Sequence, residues 1–403
     1  MKFFHSADWQ IGARFSQFGS QAPRLREARV ATLRRALAEA ERCGAEAFLV
    51  AGDLFEDPQI EPALIAAVYD GFAEHPGVPI FICPGNHDPY TGPASIWSRR
   101  PFSEPPPHVK IFRHAEACPL GEAWIIANPL TQKRSSVDPS AEVARLAREL
   151  PPEAIKIGLT HGSPAIGSLH QPDDFPIDLN AAARGGLDYL ALGHWHSAQV
   201  FAGGRMCMPG APEPTGFGEA GGGCVQQVEI RRAGELPRIT PVRVAAWRWE
   251  ERHCDLTGDP RAVIEEFARA LGDEAPRCVA RVILRGSAPA REAEGFREWL
   301  RERLSGVGLL DLRDETVSEV AAAELAGLCS EHPILEFVLA DLQALAAHLA
   351  TDAHPELLHS GFSPTVFAEV CERIGFPLAE ATPEFVANAR RLLLAELREA
   401  AAC

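Results

Sequence analysis

Four short segments place acids, amides and imidazoles where apolar runs stop. They are HSADWQIG at 5–12, GDLFED at 52–57, GNHD at 85–88, and THG at 160–162 together with GHWH at 193–196. Each follows a run that reads as a buried strand, so Asp8, Asp53, Asn86, His161, His194 and His196 stand at or just beyond strand ends. Hard oxygens and imidazole nitrogens gathered this way suit a pair of divalent cations, which can activate water against a phosphate ester. Taken singly the signals are weak: a lone Asp after a strand is usually a turn former. In GNHD the types are more specific. Gly85 permits the turn, Asn86 offers a neutral oxygen, His87 is a mobile acid, and Asp88 is placed to orient that His. It is the whole set, in this order, that departs from chance.

The elements that must position these groups follow from the apolar pattern. Strands are expected at 2–5, 47–51, 79–83, 123–127, 156–160, 187–192, 205–208, 225–230 and 239–244, β-branched or aromatic runs bounded by Gly, Pro or polar turns. Helices are expected near 23–43, 61–75 and 140–150, the first with Val30, Leu33 and Leu37 at helical spacing and Gly44 as its stop. Early strands alternating with helices, then strands without them, predict a layered α/β domain with two packed sheets. After about 245 the composition shifts. A helix at 258–271, a strand at 278–284, a charged helix at 290–304 and a strand at 309–317 make a small α+β unit. Beyond 318 the signal is helical, with an apolar stripe over 334–350 and helix starts at Ser363-Pro364 and Thr382-Pro383. Three regions result: 1–245, 246–317 and 318–403.

At 403 residues more than one core is expected. No apolar stretch approaches the ~20 residues that span a bilayer, and the first residues enter a strand without a leader pattern. The ten cysteines are scattered without a C-x-x-C, as in a cytoplasmic protein with reduced thiols. A net charge of −16 argues against a broad basic face that coats nucleic acid. It leaves room for local phosphate contacts at Arg34 and Arg35, Arg99 and Arg100, or Lys133 and Arg134, although such pairs are commonly a solvated face. No G-x-x-x-x-G-K-[ST] occurs, so any ATP hydrolysis must come from another chain.

The motif set resembles the calcineurin-like metallophosphoesterase superfamily, whose pattern runs D-x-H, G-D, G-N-H-D/E, H and G-H-x-H. Within it, HSADWQIG and the stretch MPGAPEPTGFGEAGGGCVQQVEI at 208–230 resemble the SbcD-type DNA repair exonucleases. The resemblance covers roughly 1–245. It implies a four-layer α/β/β/α sandwich followed by a small α+β cap and C-terminal helices. It further implies two adjacent divalent ions, manganese above all and magnesium as the alternative. Asp53 would bridge them, Asp8 and His196 would hold the first, and Asn86, His161 and His194 the second. His87, oriented by Asp88, would serve the leaving oxygen, and His5 would stand behind the ligands.

Gln10 departs from the pattern, which has His at this position. Its amide can offer only a neutral carbonyl oxygen. It can ligate through that oxygen, step back and hold a water, or leave the first position partly filled; a site that has lost activity is the fourth outcome. The substrate implied is DNA, with Trp97, Arg99 and Arg100 as an aromatic–basic loop suited to contact it; a buried Trp beside a solvated Arg pair is the plain account. The implied partner is an SMC/SbcC-like coiled-coil ATPase docked on the C-terminal helices, whose apolar stripes equally suit the core of a helical subdomain, with a homodimer through 61–75 and 93–103 as a further expectation and no membrane. The competing functions are a small-substrate phosphoesterase and a weakly active DNA-end scaffold.

Overall fold

Period-two alternation within the strands sets the layering. Phe4, Phe48, Val50, Ile80 and Ile82 pack on one side of the first sheet, while Phe3, Leu49 and Phe81 pack on the other. The first side is covered by the helices Ala22–Arg42 and Pro62–Ala73 through Val30, Leu33, Leu37, Val68 and Phe72. The second side meets Ile125, Ile157, Leu159 and Tyr189 of another sheet. That sheet turns Ile126, Leu190, Leu192, Met206 and Met208 outward onto Val143, Ala147 and Ala182 of the helices Ser140–Ala147 and Ala181–Gly185. The result is an α/β/β/α sandwich.

The computed structural model describes residues 1–166 and 173–318, together with Val338, Asp341, Leu342, Val386 and Ala389. Apart from those isolated positions, the apolar stripe at 334–350 and the two helix starts at Ser363-Pro364 and Thr382-Pro383 lie outside the described residues.

Each sheet has six strands. The first runs in the order Arg238–Arg243, Cys224–Glu229, Lys2–Ser6, Ala47–Ala51, Ile80–Cys83, Val109–Ile111. The second runs Gln199–Phe201, Met206–Met208, Tyr189–Ala191, Ile155–Leu159, Ala123–Ala127, Glu116–Leu120. Lys2–Ser6, Ala47–Ala51, Ile80–Cys83 and Val109–Ile111 are mutually parallel, as are Met206–Met208, Tyr189–Ala191, Ile155–Leu159 and Ala123–Ala127. The carboxyl ends of parallel strands are where α/β sheets bind ligands. The motifs extend from those ends.

Val109–Ile111, Glu116–Leu120 and Gln199–Phe201 were not expected from the sequence. They are short, sit at or next to sheet edges and include Lys110, Pro119 and Gln199, so they lack an apolar run. Helix Ala22–Arg42 ends as its Gly44 requires, with that residue at φ +64°.

The described chain falls into two compact units, Met1–Glu250 with Pro276–Ala280, and Glu251–Ala275 with the residues from Arg281 onward. In the second unit, Asp259 caps helix Pro260–Leu271 by accepting from the Ala262 N–H, with Pro260 opening the helix. Ile264, Phe267 and Leu271 of this helix are buried, as are Phe296 and Leu300 of Ala290–Arg303. The strand expected at 309–317 is broken, because Asp314 accepts from the N–H and hydroxyl of Thr316 and turns the chain after Leu309–Asp314.

Candidate metal centre

The loops that follow Lys2–Ser6 and Ala47–Ala51 are laced together. Asp8 N–H donates to Gly52 O at 3.2 Å, Gln10 N–H to Asp53 O at 3.1 Å, and Ile11 N–H to Leu54 O at 3.0 Å. This lacing holds unusual backbone: Asp8 lies at φ +54°, Gln10 at +46°, Asp53 at +52° and His194 at +119°. Side-chain-bearing residues enter that region at a cost and concentrate there at functional sites. The close approach also demands glycine. A Cβ at Gly85 would lie 2.2 Å from Asp53 Oδ1, and one at Gly193 2.2 Å from Ala51 O.

Asp8, Asp53 and His161 are buried, with ligand atoms all within 4.8 Å of one another. His161 Nε2 stands 3.3 Å from Asp53 Oδ2 and 2.9 Å from Asn86 Oδ1. His194 Nδ1 stands 3.0 Å from the same Asn86 oxygen and 3.3 Å from His161 Nε2. The far nitrogens decide what these atoms are. His161 Nδ1 donates to Ala51 O at 2.8 Å, and His194 Nε2 to Asp174 Oδ2 at 2.8 Å. As neutral imidazoles, rings fixed in this way would turn lone pairs toward the Asn86 oxygen. In that state three acceptors would meet with no donor among them, and a positive charge, either a proton on His161 or a metal ion, relieves the repulsion. The donor set fits a divalent ion of the manganese or magnesium kind.

The field at the centre shows the same demand. Burial works against the His161 imidazolium, but the Asp53 and Asp8 carboxylates overcome it and raise its pKa to about 9. Burial works to raise Asp53, but the His161 charge and hydrogen bond, with His87, hold it below the usual carboxylate range. Asp8 is raised by burial despite His161 and His196. Positive charge, whether carried by proton or metal, is what stabilises two buried carboxylates here.

The other position is less complete. Both Asp8 oxygens accept from the His194 N–H, at 3.0 and 3.1 Å. His196 Nδ1 is held by Thr215 Oγ1 at 2.8 Å and Glu219 Oε1 at 3.1 Å, which leaves Nε2 on the inner side. Gln10 has not stepped back. Its Nε2 is 3.2 Å from Asp53 Oδ2 and 3.4 Å from His196 Nε2, while its Oε1 is buried with no partner among the described residues. An amide N–H₂ between a carboxylate and an imidazole lone pair supplies the donor a cation would otherwise replace. Turned over, the same amide presents Oε1 to that position and becomes a neutral ligand. Gln10→His should therefore tighten the weaker manganese equivalent by roughly tenfold or more, read from the free-ion EPR signal; equal half-saturation in the two proteins would refute a soft first position.

Behind this position lies a clamp. Arg29, buried on helix Ala22–Arg42, donates to Trp9 O at 2.6 Å and Pro214 O at 3.0 Å. It ties the Asp8–Gln10 turn to the loop carrying Thr215 and Glu219. Burial lowers its pKa to about 10, partly offset by Glu213 and Glu219. Glu213 itself accepts from the N–H groups of Ala246 at 2.7 Å and Trp247 at 3.0 Å.

Several expected roles are corrected. Asp88 does not orient His87: its carboxylate accepts from Phe55 N–H at 3.0 Å and Gly85 N–H at 2.7 Å, and so staples the GNHD turn. Burial and the Asp53 charge raise its pKa to about 7. His87 is oriented by the Glu56 carbonyl, which accepts from Nδ1 at 2.8 Å, and its own N–H donates to Asp53 Oδ1 at 2.9 Å. Trp97 is fully buried against Phe55 and Phe102, with its indole N–H on Asp88 O at 2.5 Å, so it braces the turn and cannot stack a base. Arg99 bonds Ala94 O, and Arg100 forms an exposed pair with Glu104.

His5 is not behind the ligands either. It shares the inter-sheet face with Phe3, donates from Nε2 to Leu192 O at 3.0 Å and accepts the Tyr189 hydroxyl at 2.9 Å. Burial, against the Leu192 carbonyl, lowers its pKa from 6.5 to about 3. Between those values the unfolded chain binds a proton that the folded one refuses, so acid favours unfolding. The urea midpoint should fall as pH drops from 6.5 toward 3, and His5→Asn should flatten that slope; an unchanged slope would remove His5 from the explanation.

Sequence reading missed Asp174, Thr215, Glu219, Arg29 and the Glu56 carbonyl. Glu56 lies within GDLFED, and Thr215 and Glu219 within the stretch at 208–230, but neither segment marked them as groups that orient the site.

Comparison with known proteins bears on this geometry. Residues 1–198 match the family described as calcineurin-like phosphoesterase. Over 348 residues the chain is 27% identical to "Uncharacterized metallophosphoesterase YhaO" of Bacillus subtilis (strain 168), covering 80% of this chain and 79% of that protein. Over 395 residues it is 27% identical to "DNA double-strand break repair protein Mre11" of Methanopyrus kandleri, covering 83% of this chain and 84% of that protein. Among the described residues no helix is long and apolar enough to cross a membrane.

Proposed function

We propose, from the match of residues 1–198 to the calcineurin-like phosphoesterase family, that the protein is a DNA phosphodiesterase working with two divalent ions, manganese by preference. The observation that carries this reading is the convergence of His161 Nε2, His194 Nδ1 and Asn86 Oδ1, with tautomers fixed from behind, beside the buried carboxylates Asp53 and Asp8. When bound, such ions supply the charge that accepts phosphate oxygens and the acidity that makes water a nucleophile at neutral pH. Asp53 would be shared between the ions, Asn86, His161 and His194 would hold one, and Asp8, His196 and Gln10 the other. His87 acts on the leaving oxygen. Its Nδ1–H is tied to Glu56, its ring is 41% exposed, and Nε2 has no partner among the described residues.

DNA is favoured as substrate by the likeness to a protein named for double-strand break repair, extending over 83% of this chain. The resemblance of the motif set to SbcD-type exonucleases and the scattered cysteines extend the proposal to action beside a coiled-coil ATPase, docked on the helices expected after 318, in a cytoplasmic setting. Manganese-loaded protein should degrade a labelled DNA end and also turn over a chromogenic diester. Brisk turnover of the small diester with intact DNA would replace this reading by a small-substrate phosphoesterase.

A further inference from the structure

Beside the metal centre lies a second recess, of about 350 Å³, within the ~300–1,000 Å³ range of small-molecule sites. It is lined by Trp247 and Trp249, by Arg243 and Arg248, and by the glycine-rich loop that includes Gly216, Gly218 and Gly222. We propose that this recess is a nucleotide subsite, in which Trp249 stacks one base of the strand whose phosphate lies at the metal centre. The inference rests on the reading of that centre as a DNA phosphodiesterase and deepens it.

Three features converge. Glu219 lines the recess and also bonds His196 Nδ1 at 3.1 Å, so the recess and the candidate ligands share one side chain. Indoles give base-stacking surface, and Arg243 beside them suits a polyanion, which matters on a chain of net charge −16. Finally, Trp249 is held without a hydrogen bond of its own. Its indole N–H is buried and lacks an acceptor among the described residues, and its neighbours are the rings of Phe217 at 4.9 Å, Phe18 at 5.6 Å and Phe15 at 6.2 Å. An orphaned donor is costly enough that a ring kept in such a place calls for a use. Both carboxylates of the lining are engaged, Glu250 by Arg248 at 2.7 Å and Glu219 by His196 and Thr215, so neither is left bare against phosphate. The glycines add no side chain to the rim; a Cβ at Gly218 would meet nothing within 4 Å.

The test uses full-length, manganese-loaded protein as wild type, Trp249→Ala, Trp249→Phe and Phe217→Ala. The probes are a short single-stranded oligodeoxynucleotide, bis(4-nitrophenyl) phosphate, and radiolabelled dAMP followed by equilibrium dialysis. Trp249→Ala should raise the KM for the oligonucleotide by about tenfold, the scale of one lost base stack, and weaken dAMP binding similarly. Trp249→Phe should recover most of both, and kcat/KM for the small diester should not change in any variant. Equal oligonucleotide KM and dAMP affinity in wild type and Trp249→Ala would overturn the subsite while the DNA reading stands. An equal loss on the small diester in every variant would overturn it as well, marking the ring as structural. Wild type that binds dAMP through Trp249 but leaves DNA uncut would keep the subsite and remove DNA as the substrate.

Discussion

Asp53→Asn should abolish DNA hydrolysis, with a fall on the order of 10³-fold or more, beyond the ~10–100-fold typical of groups that only support ligands. Asp53 is where the strongest demands meet. Its Oδ2 faces His161 Nε2 at 3.3 Å and Gln10 Nε2 at 3.2 Å, while its Oδ1 accepts the His87 N–H at 2.9 Å. An amide in its place keeps the shape and loses the charge, so both ions should bind more weakly and the manganese equivalents measured by EPR should drop. Thermal stability of the metal-free protein gives the control. Hydrolysis retained by a folded Asp53→Asn protein would mean that this carboxylate does not hold the reacting ions.

His87→Ala should lower kcat on DNA by about 10²–10⁴-fold, the range of a positioned acid or base, with manganese binding nearly unchanged. The reason for the contrast is geometric. The His87 ring is tied by Nδ1 to the Glu56 carbonyl at 2.8 Å and makes no ring contact with Asp8, Asp53 or His161 among the described residues. A proton donor matters most when the leaving oxygen is a poor one. The loss should therefore be large for DNA, whose sugar alkoxide needs a proton, and small for a nitrophenyl diester, whose leaving group needs none. Parallel losses on both substrates would assign His87 to binding and remove it from proton transfer.

The gathering of Asp8, Asp53, Asn86, His161, His194 and His196 was legible in the sequence because these residues follow the ends of parallel strands. A buried run followed directly by Gly-Asp, Gly-Asn-His-Asp or Gly-His-Trp-His needs no tertiary information to be noticed. The groups that orient those ligands carry no such signal. Asp174 reaches His194, and Glu219 reaches His196, from loops about 20 residues away in the chain, and a loop acid looks the same whether it is solvated or in use. Trp97 misled for a related reason. A Trp two residues before an Arg pair looks like a surface platform, whereas the ring turns inward to brace Asp88. His5 could have been placed correctly, since strand parity puts it on the face of Phe3, toward the other sheet. Gln10 was visible as a departure from the motif, but the part its amide plays depends on which atom faces Asp53 and His196. Sequence spacing does not hold that information.

The most direct measurement is a manganese titration of chelator-stripped protein, with free Mn²⁺ followed by EPR and DNA hydrolysis assayed in the same samples. Two equivalents should bind, one more weakly than the other, and hydrolysis should rise only as the weaker one fills. Full hydrolysis before the second equivalent binds, or in the absence of any bound ion, would contradict a two-ion phosphodiesterase whose first position is softened by Gln10.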